Sequence, residues 1–219
     1  KATDNKTAGG SKETVYDSGK KKMFSGAFCP EYPLLPGICY YWQVQVMDDA
    51  GDFGESAAQT FEGGHPEGGW KGNWIKAPFV GEIHPVFQKD FVLPEEYFSG
   101  EEKDKSARLY ICGLGLYEVY INGQKVGEEY LTPYFTDYRY QTYDAVQYLK
   151  PGQNRIAVYM GNGWYKGKFG YLNKGELRNY YGSEFKLLAD LMVWGRDGKR
   201  FLLGTDESWL ALKSPVTVS

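Results

Sequence analysis

Short runs of alternating apolar and polar residues, each closed by a turn signal, dominate this sequence from Tyr40 to Leu203. Arg155-Ile156-Ala157-Val158-Tyr159-Met160 alternates strictly, the pattern of a strand with one buried face. Tyr40, Trp42, Val44 and Val46 also alternate, between the turn signals Leu35-Pro36-Gly37 and Asp48-Asp49-Ala50-Gly51-Asp52, and predict a half-buried strand. Further strands are expected at residues 58–61, 86–93, 108–112, 116–121, 124–126, 185–193 and 199–203. Asn122-Gly123 reads as a type I′ hairpin turn, because both positions must tolerate positive φ. Residues 145–149 are the single short helical candidate. Many short strands at regular spacing predict an all-β sandwich.

The 28 glycines and 10 prolines supply the turns. A chain of 219 residues makes one large domain or two small ones. The glycine-rich segment Gly63-Gly64-His65-Pro66-Glu67-Gly68-Gly69 is the best boundary. Lys1 to Lys12 is polar and reads as a tail, and a start at Lys1 reads as that of an excised fragment. The loop from Glu95 to Ser106 is charged and expected to be solvated.

Function classes narrow by exclusion. A net charge of −3 argues against a phosphate-backbone reader. No apolar run is long enough for a membrane-spanning helix. Three cysteines (Cys29, Cys39 and Cys112) without a CxxC pair do not make a zinc ribbon or a disulfide scaffold, although a Cys29–Cys39 bridge stays open. Cys112 lies in an apolar run and reads as a small core residue. His65 and His84, in or near the linker, and the lack of a GxSxG elbow leave a nucleophilic triad unsupplied. Adjacent carboxylates such as Glu101/Glu102 and Glu128/Glu129 do not form a glycosidase pair, because neighbours on a strand face opposite ways. Gly113-Leu114-Gly115 fails as a dinucleotide fingerprint and reads as a bend between strands.

The aromatic share, 17%, is unusual. It concentrates between Leu131 and Tyr171, where Tyr138, Tyr140, Tyr143, Trp164 and Tyr165 stand among Asp137, Arg139, Asp144 and Asn162. Proteins hold sugars with such sets: a ring packs on the C–H face while fixed polar groups bind the hydroxyls. Core packing and turn chemistry are the competing explanation. Trp164, after Gly161-Asn162-Gly163, is expected on a loop end. Asp137 and Asp144 are the candidate calcium ligands, since calcium takes several oxygens.

Specific runs then carry a resemblance. They are Tyr16-Asp17-Ser18-Gly19, Tyr41-Trp42-Gln43-Val44-Gln45-Val46, Ala107-Arg108-Leu109-Tyr110-Ile111-Cys112-Gly113-Leu114-Gly115, Ile121-Asn122-Gly123-Gln124-Lys125-Val126-Gly127, Thr136-Asp137-Tyr138, Gly161-Asn162-Gly163-Trp164-Tyr165-Lys166-Gly167 and Thr205-Asp206-Glu207-Ser208-Trp209. In this order they resemble the N-terminal, non-catalytic region of bacterial α-L-rhamnosidases, glycoside hydrolase family 78. The resemblance implies an N-terminally incomplete fibronectin-III-like module over 1–63 and a carbohydrate-binding-like jelly roll over 64–219. It implies no catalytic residue here, because the inverting acid and base sit in a C-terminal (α/α)6 barrel. No rhamnosidase activity is expected of this polypeptide alone. Some members use the jelly roll to bind L-rhamnose with calcium. By resemblance, Trp164, Asn162, Tyr165, Asp137 and Arg139 would face sugar, and Asp137 and Asp144 would hold calcium. No other cofactor is implied. The expected partners are rhamnose-containing glycans and the protein's own barrel, with no nucleic acid and no membrane insertion. The glycan role favours a periplasmic or secreted setting. The alternatives are a scaffold without sugar binding, an adhesion module or a stand-alone enzyme, which fold analogy cannot separate.

Overall fold

Alternation places every second side chain of a strand on one face, so strands of this kind must pair and bury that face. The computed structural model describes residues 2–4, 13–22, 32–65, 69–79, 81, 83–99, 106–128, 138–168, 178–179, 181–195 and 199–216. The chain divides into two units, Lys1–Gly69 and Trp70–Ser219. The division falls at the far end of the glycine-rich segment, six residues past the expected 63/64 boundary. Gly63 belongs with the first unit for a local reason. Its N–H donates to Ile38 O, and its carbonyl accepts from Gly37 N. A Cβ there would meet Leu35 O at 2.1 Å.

The first unit holds β1 (Ala2–Asp4), β2 (Glu13–Tyr16), β3 (Cys39–Trp42), β4 (Gln45–Met47), β5 (Phe53–Glu55) and β6 (Gln59–Glu62). They form a sheet ordered β2-β1-β3-β6 and a β4-β5 ribbon. Two expectations are corrected here. The polar tail contains a strand, since β1 pairs with both β2 and β3 through its backbone, which needs no apolar pattern. The strand expected over 40–46 breaks at Gln43-Val44. Ser56 causes the break: Val44 N donates to Ser56 Oγ at 3.0 Å, and Ser56 N donates to Val44 O at 2.9 Å. Only Tyr40 of the alternating set is buried, while Trp42, Val44 and Val46 are exposed. Tyr40 stacks on Phe61 with ring centroids 5.3 Å apart, and its hydroxyl accepts from Leu35 N at 2.8 Å. The 48–52 turn forms as expected, with Asp48 Oδ1 accepting from Ala50 N and Asp52 N.

The second unit is a β-sandwich. Its strands are β7 (Ile75–Lys76), β8 (Pro85–Leu93), β9 (Ser106–Leu114), β10 (Leu116–Ile121), β11 (Gln124–Val126), β12 (Gln141–Asp144), β13 (Gly152–Gly161), β14 (Lys186–Trp194), β15 (Arg200–Gly204) and β16 (Leu210–Lys213). One antiparallel sheet runs β11-β10-β13-β8-β16; the other runs β12-β9-β14-β15, with β7 paired to β14. Apart from the hairpins β10–β11 and β14–β15, successive strands of the sandwich from β8 onward switch sheets, and both inner faces fill one core. Phe87, Leu109, Ile111, Val119, Ile121, Ile156, Val158, Leu187 and Leu191 are fully buried in it. Asn122 and Gly123 have φ of +52° and +80°, as the type I′ turn requires. Asn122 Nδ2 donates to Asn154 Oδ1 at 2.8 Å, and Asn154 Nδ2 reaches back to Lys150 O and Gly152 O. This network ties the hairpin tip to the 150–154 turn.

Gly115, at φ +128°, makes the expected bend between β9 and β10. The helical candidate at 145–149 shrinks to a 3-10 turn over Val146–Tyr148. Strand β16 was not anticipated. It lies at a sheet edge, with Leu210 and Leu212 exposed, so its sequence lacks a buried alternation. Where the second unit begins, Asp190 is fully buried, and its carboxylate accepts from Lys71 N at 2.9 Å and Gly72 N at 2.8 Å.

Candidate functional site

The Gly161–Gly167 stretch folds as it does because Gly163 and Gly167 sit where a side chain has no room. β13 ends at Gly161, and α1, a single turn over Gly163–Lys166, follows. Gly163 sits at φ +53°, and a Cβ there would lie 2.7 Å from Leu116 Cγ. A Cβ on Gly167 would lie 2.4 Å from Gly163 O. The turn is thereby pressed onto the start of β10. Lys166 N donates to Asn162 O at 3.1 Å and Gly167 N to Gly163 O at 3.1 Å, closing it. The expected loop end at Trp164 is therefore a helical turn.

Two neighbours on this turn part ways. Trp164 is 42% exposed, whereas Tyr165 is 6% exposed. The Tyr165 ring packs with Leu114 and Tyr181 and meets the Tyr138 ring edge-on at 6.5 Å. A Cβ on Gly182 would fall 2.1 Å from the Tyr165 hydroxyl oxygen, so glycine there admits the ring. Lys166 is buried as well. Its ammonium stands 4.5 Å over the Phe185 ring and donates to Gly81 O. That fixes the far side of the turn and leaves Trp164 as its outward side chain.

The contact between Tyr138 and Tyr165 brings residues 138–140 beside α1. Arg139, next to Tyr138, is exposed at this end of the sandwich. Tyr140 turns the other way, meeting Trp70 and Tyr110 edge-on at 5.6 and 6.0 Å. Asn162 is half-buried at the cap of α1, and its side chain makes no capping hydrogen bond. The structure thus sets Asn162, Trp164 and Tyr165 on one turn, with Tyr138, the chain neighbour of Arg139, against Tyr165, and Tyr165 serves the packing beneath the surface.

The acidic residues are placed differently. Asp137 lies outside the described residues. Asp144 ends β12, where Oδ2 pairs with Arg108 at 3.2 Å and Oδ1 accepts from Val146 N at 3.1 Å. Both of its oxygens are thus engaged. Among the described residues, no three His, Cys, Asp or Glu side chains cluster together. Cys112 is buried, and burial pushes its thiol up to about 11, so it is no nucleophile. Cys39 is a free, exposed thiol, and Cys29 lies outside the described residues.

Sequence reasoning missed Lys166, Tyr181 and Gly182 as the supports of this turn. No local signal marks them, because their partners lie far away in sequence.

Comparison with known proteins gives a consistent result. Residues 102–219 match the family described as the alpha-L-rhamnosidase N-terminal domain. An alpha-L-rhamnosidase of Streptomyces avermitilis is 33% identical over 203 residues, covering 91% of this chain and 18% of that protein. One from Formosa agariphila is 29% identical over 202 residues, covering 85% and 21%. The crystal structure of native alpha-L-rhamnosidase from Aspergillus terreus superposes with a TM-score of 0.73 at 33% identity, over 87% of this chain and 22% of that one. The Streptomyces avermitilis alpha-L-rhamnosidase complexed with L-rhamnose superposes with a TM-score of 0.54 at 25% identity, over 82% and 19%. The chain spans about a fifth of the length of these curated relatives.

Proposed function

Because the chain belongs to the alpha-L-rhamnosidase N-terminal domain family, we propose that it is a non-catalytic part of an enzyme that removes terminal α-L-rhamnosyl residues. We propose further that its own contribution is to hold carbohydrate at the α1 end of the sandwich. One observation carries this reading: Trp164 is 42% exposed on a turn whose other side is clamped by Lys166, Tyr165 and the packed glycines. A large exposed indole on a rigid support is costly to leave in water and well suited to the apolar face of a sugar ring. Arg139 and Asn162 supply hydrogen-bonding groups at the same end. The hydrolysis itself, with inversion, would belong to a barrel elsewhere in the whole protein.

A second reading has its own support. Leu210, Leu212 and Val216 form an exposed apolar run at the end of the chain, which suits a scaffold that packs against further structure.

The test is a titration of L-rhamnose into this chain, followed by tryptophan fluorescence with calcium and then with chelator. Saturable quenching, lost in Trp164→Ala when binding is measured by calorimetry, supports the sugar reading. The affinity expected of a single monosaccharide site is about millimolar, since few atoms contribute. No response up to about 50 mM, far above that affinity, refutes it and leaves the scaffold. Loss on chelation would show that binding needs calcium, for which Asp137 and Asp144 are the candidate ligands. Trp164→Ala should barely change the melting temperature, because the ring is substantially exposed.

A further inference from the structure

We propose a second carbohydrate site, separate from Trp164, in the groove on the outer face of the β10–β13 strand pair. The groove is open to solvent, offers about 600 Å³, and is bordered by His84, Ser214 and Val216 beside the two strands. Its floor follows from the register. On the outward face, Leu116 lies opposite Gly161, Glu118 opposite Tyr159, and Tyr120 opposite Ala157. Leu116 thus faces a glycine, and that gap forms one end of the trough.

Gly161 is the telling residue. Its φ is not positive, so its backbone does not require glycine. A Cβ built there meets nothing within 4 Å, so neighbouring packing does not require it either. The open space beside Gly161, at the end of β13, leaves the backbone there accessible to another molecule.

The walls have the chemistry of a sugar site. Tyr159 is 40% exposed, and its ring meets Tyr120 edge-on at 5.4 Å, which holds it upright. Glu118 is fixed from two sides: Tyr120 Oη donates to Oε2 and Lys125 Nζ to Oε1, each at 2.9 Å. Both oxygens keep lone pairs for ligand hydroxyls, and Lys125 offsets the carboxylate charge. A neutral, hydroxyl-bearing ring with an apolar face suits this combination better than an anion or a peptide charge would. This site does not depend on Trp164.

The experiment is an amide NMR titration of the whole chain with L-rhamnose, repeated on Gly161→Val and Tyr159→Ala. The first variant fills open space and the second removes an exposed ring, so both should fold. The expected result is a saturable shift of the Glu118, Tyr159 and Gly161 amides in the parent, weakened at least about tenfold in each variant. Tyr159→Ala should leave any tryptophan fluorescence response intact, so failure at Trp164 and failure here are distinguishable. No saturable groove shift up to about 50 mM, or shifts unchanged in both variants, overturns the proposal.

Discussion

Asp190→Ala should be strongly damaging to the second unit. The carboxylate is fully buried and accepts from Gly72 N at 2.8 Å and Lys71 N at 2.9 Å. It sits where backbones approach closely: a Cβ on Gly72 would lie 2.6 Å from Ala189 O, and one on Gly204 2.6 Å from Gly72 N. Removing the acceptor strands the buried Gly72 donor, at about 2–3 kcal/mol. The Lys71 donor lies nearer water and recovers part of its loss, leaving about 1 kcal/mol. The sum is about 3–4 kcal/mol, which lowers the melting temperature of a unit this size by about 10 °C. Asp190→Asn keeps one acceptor but turns an amide N–H₂ toward the other donor, so it should lose about half as much. Calorimetry of the full chain reads the melting temperature. Hydrogen exchange at Gly72 should change from slow to fast. A melting temperature within about 2 °C of the parent in Asp190→Ala would refute the clamp.

Other changes probe the site supports. Gly182→Ala should cost about 1–3 kcal/mol by driving a methyl into the Tyr165 hydroxyl, and should weaken rhamnose binding by moving α1; an unchanged melting temperature would contradict the packing argument. The hydrogen bonds from Lys125 and Tyr120 hold the Glu118 carboxyl below its ordinary 4.5. Its contribution is therefore fully present above pH 4.5 and lost as pH falls through the lower folded value. The pair is part-exposed, so Glu118→Gln should cost under about 1 kcal/mol at neutral pH, and the gap to the parent should close in acid. With Cys29 and Cys39 both replaced by serine, the remaining Cys112 should not react with a thiol reagent at pH 8 until the chain unfolds; rapid reaction in the folded state would contradict its burial.

What was legible in the sequence is what local alternation encodes. Strand β13, the Asn122-Gly123 turn and the Gly115 bend follow from period two and from φ requirements, both of which are local. The strand over 40–46 misled because its alternation was genuine while its partner was not: Ser56 interrupts the ladder from the side, and the exposed residues after Tyr40 keep a pattern they do not use. Strands β1 and β16 were invisible for the opposite reason. Pairing uses backbone groups, and a strand among polar residues or at an edge needs no buried face. At the site, exposure of Trp164 agrees with its place after Gly161-Asn162-Gly163, but the burial of Tyr165 depends on Gly182, seventeen residues away, and no periodicity reports that.

The two surfaces are set by one glycine-rich segment. The absent side chain of Gly161 opens the groove beside β10, and two residues later the positive φ of Gly163 turns the chain so that Trp164 points outward. Both glycines act on the same neighbour: Gly163 lies against Leu116, and Gly161 stands opposite it in the ladder. Leu116 thus lies between the two proposed sites. Changing its shape, as in Leu116→Ala, would loosen the seat of α1 and widen the groove together, whereas Tyr159→Ala touches only the groove. A ligand that spanned both surfaces would feel Leu116 at each end, so coupled loss of the fluorescence and NMR responses in Leu116→Ala, against separate loss in Tyr159→Ala, is the pattern this geometry requires.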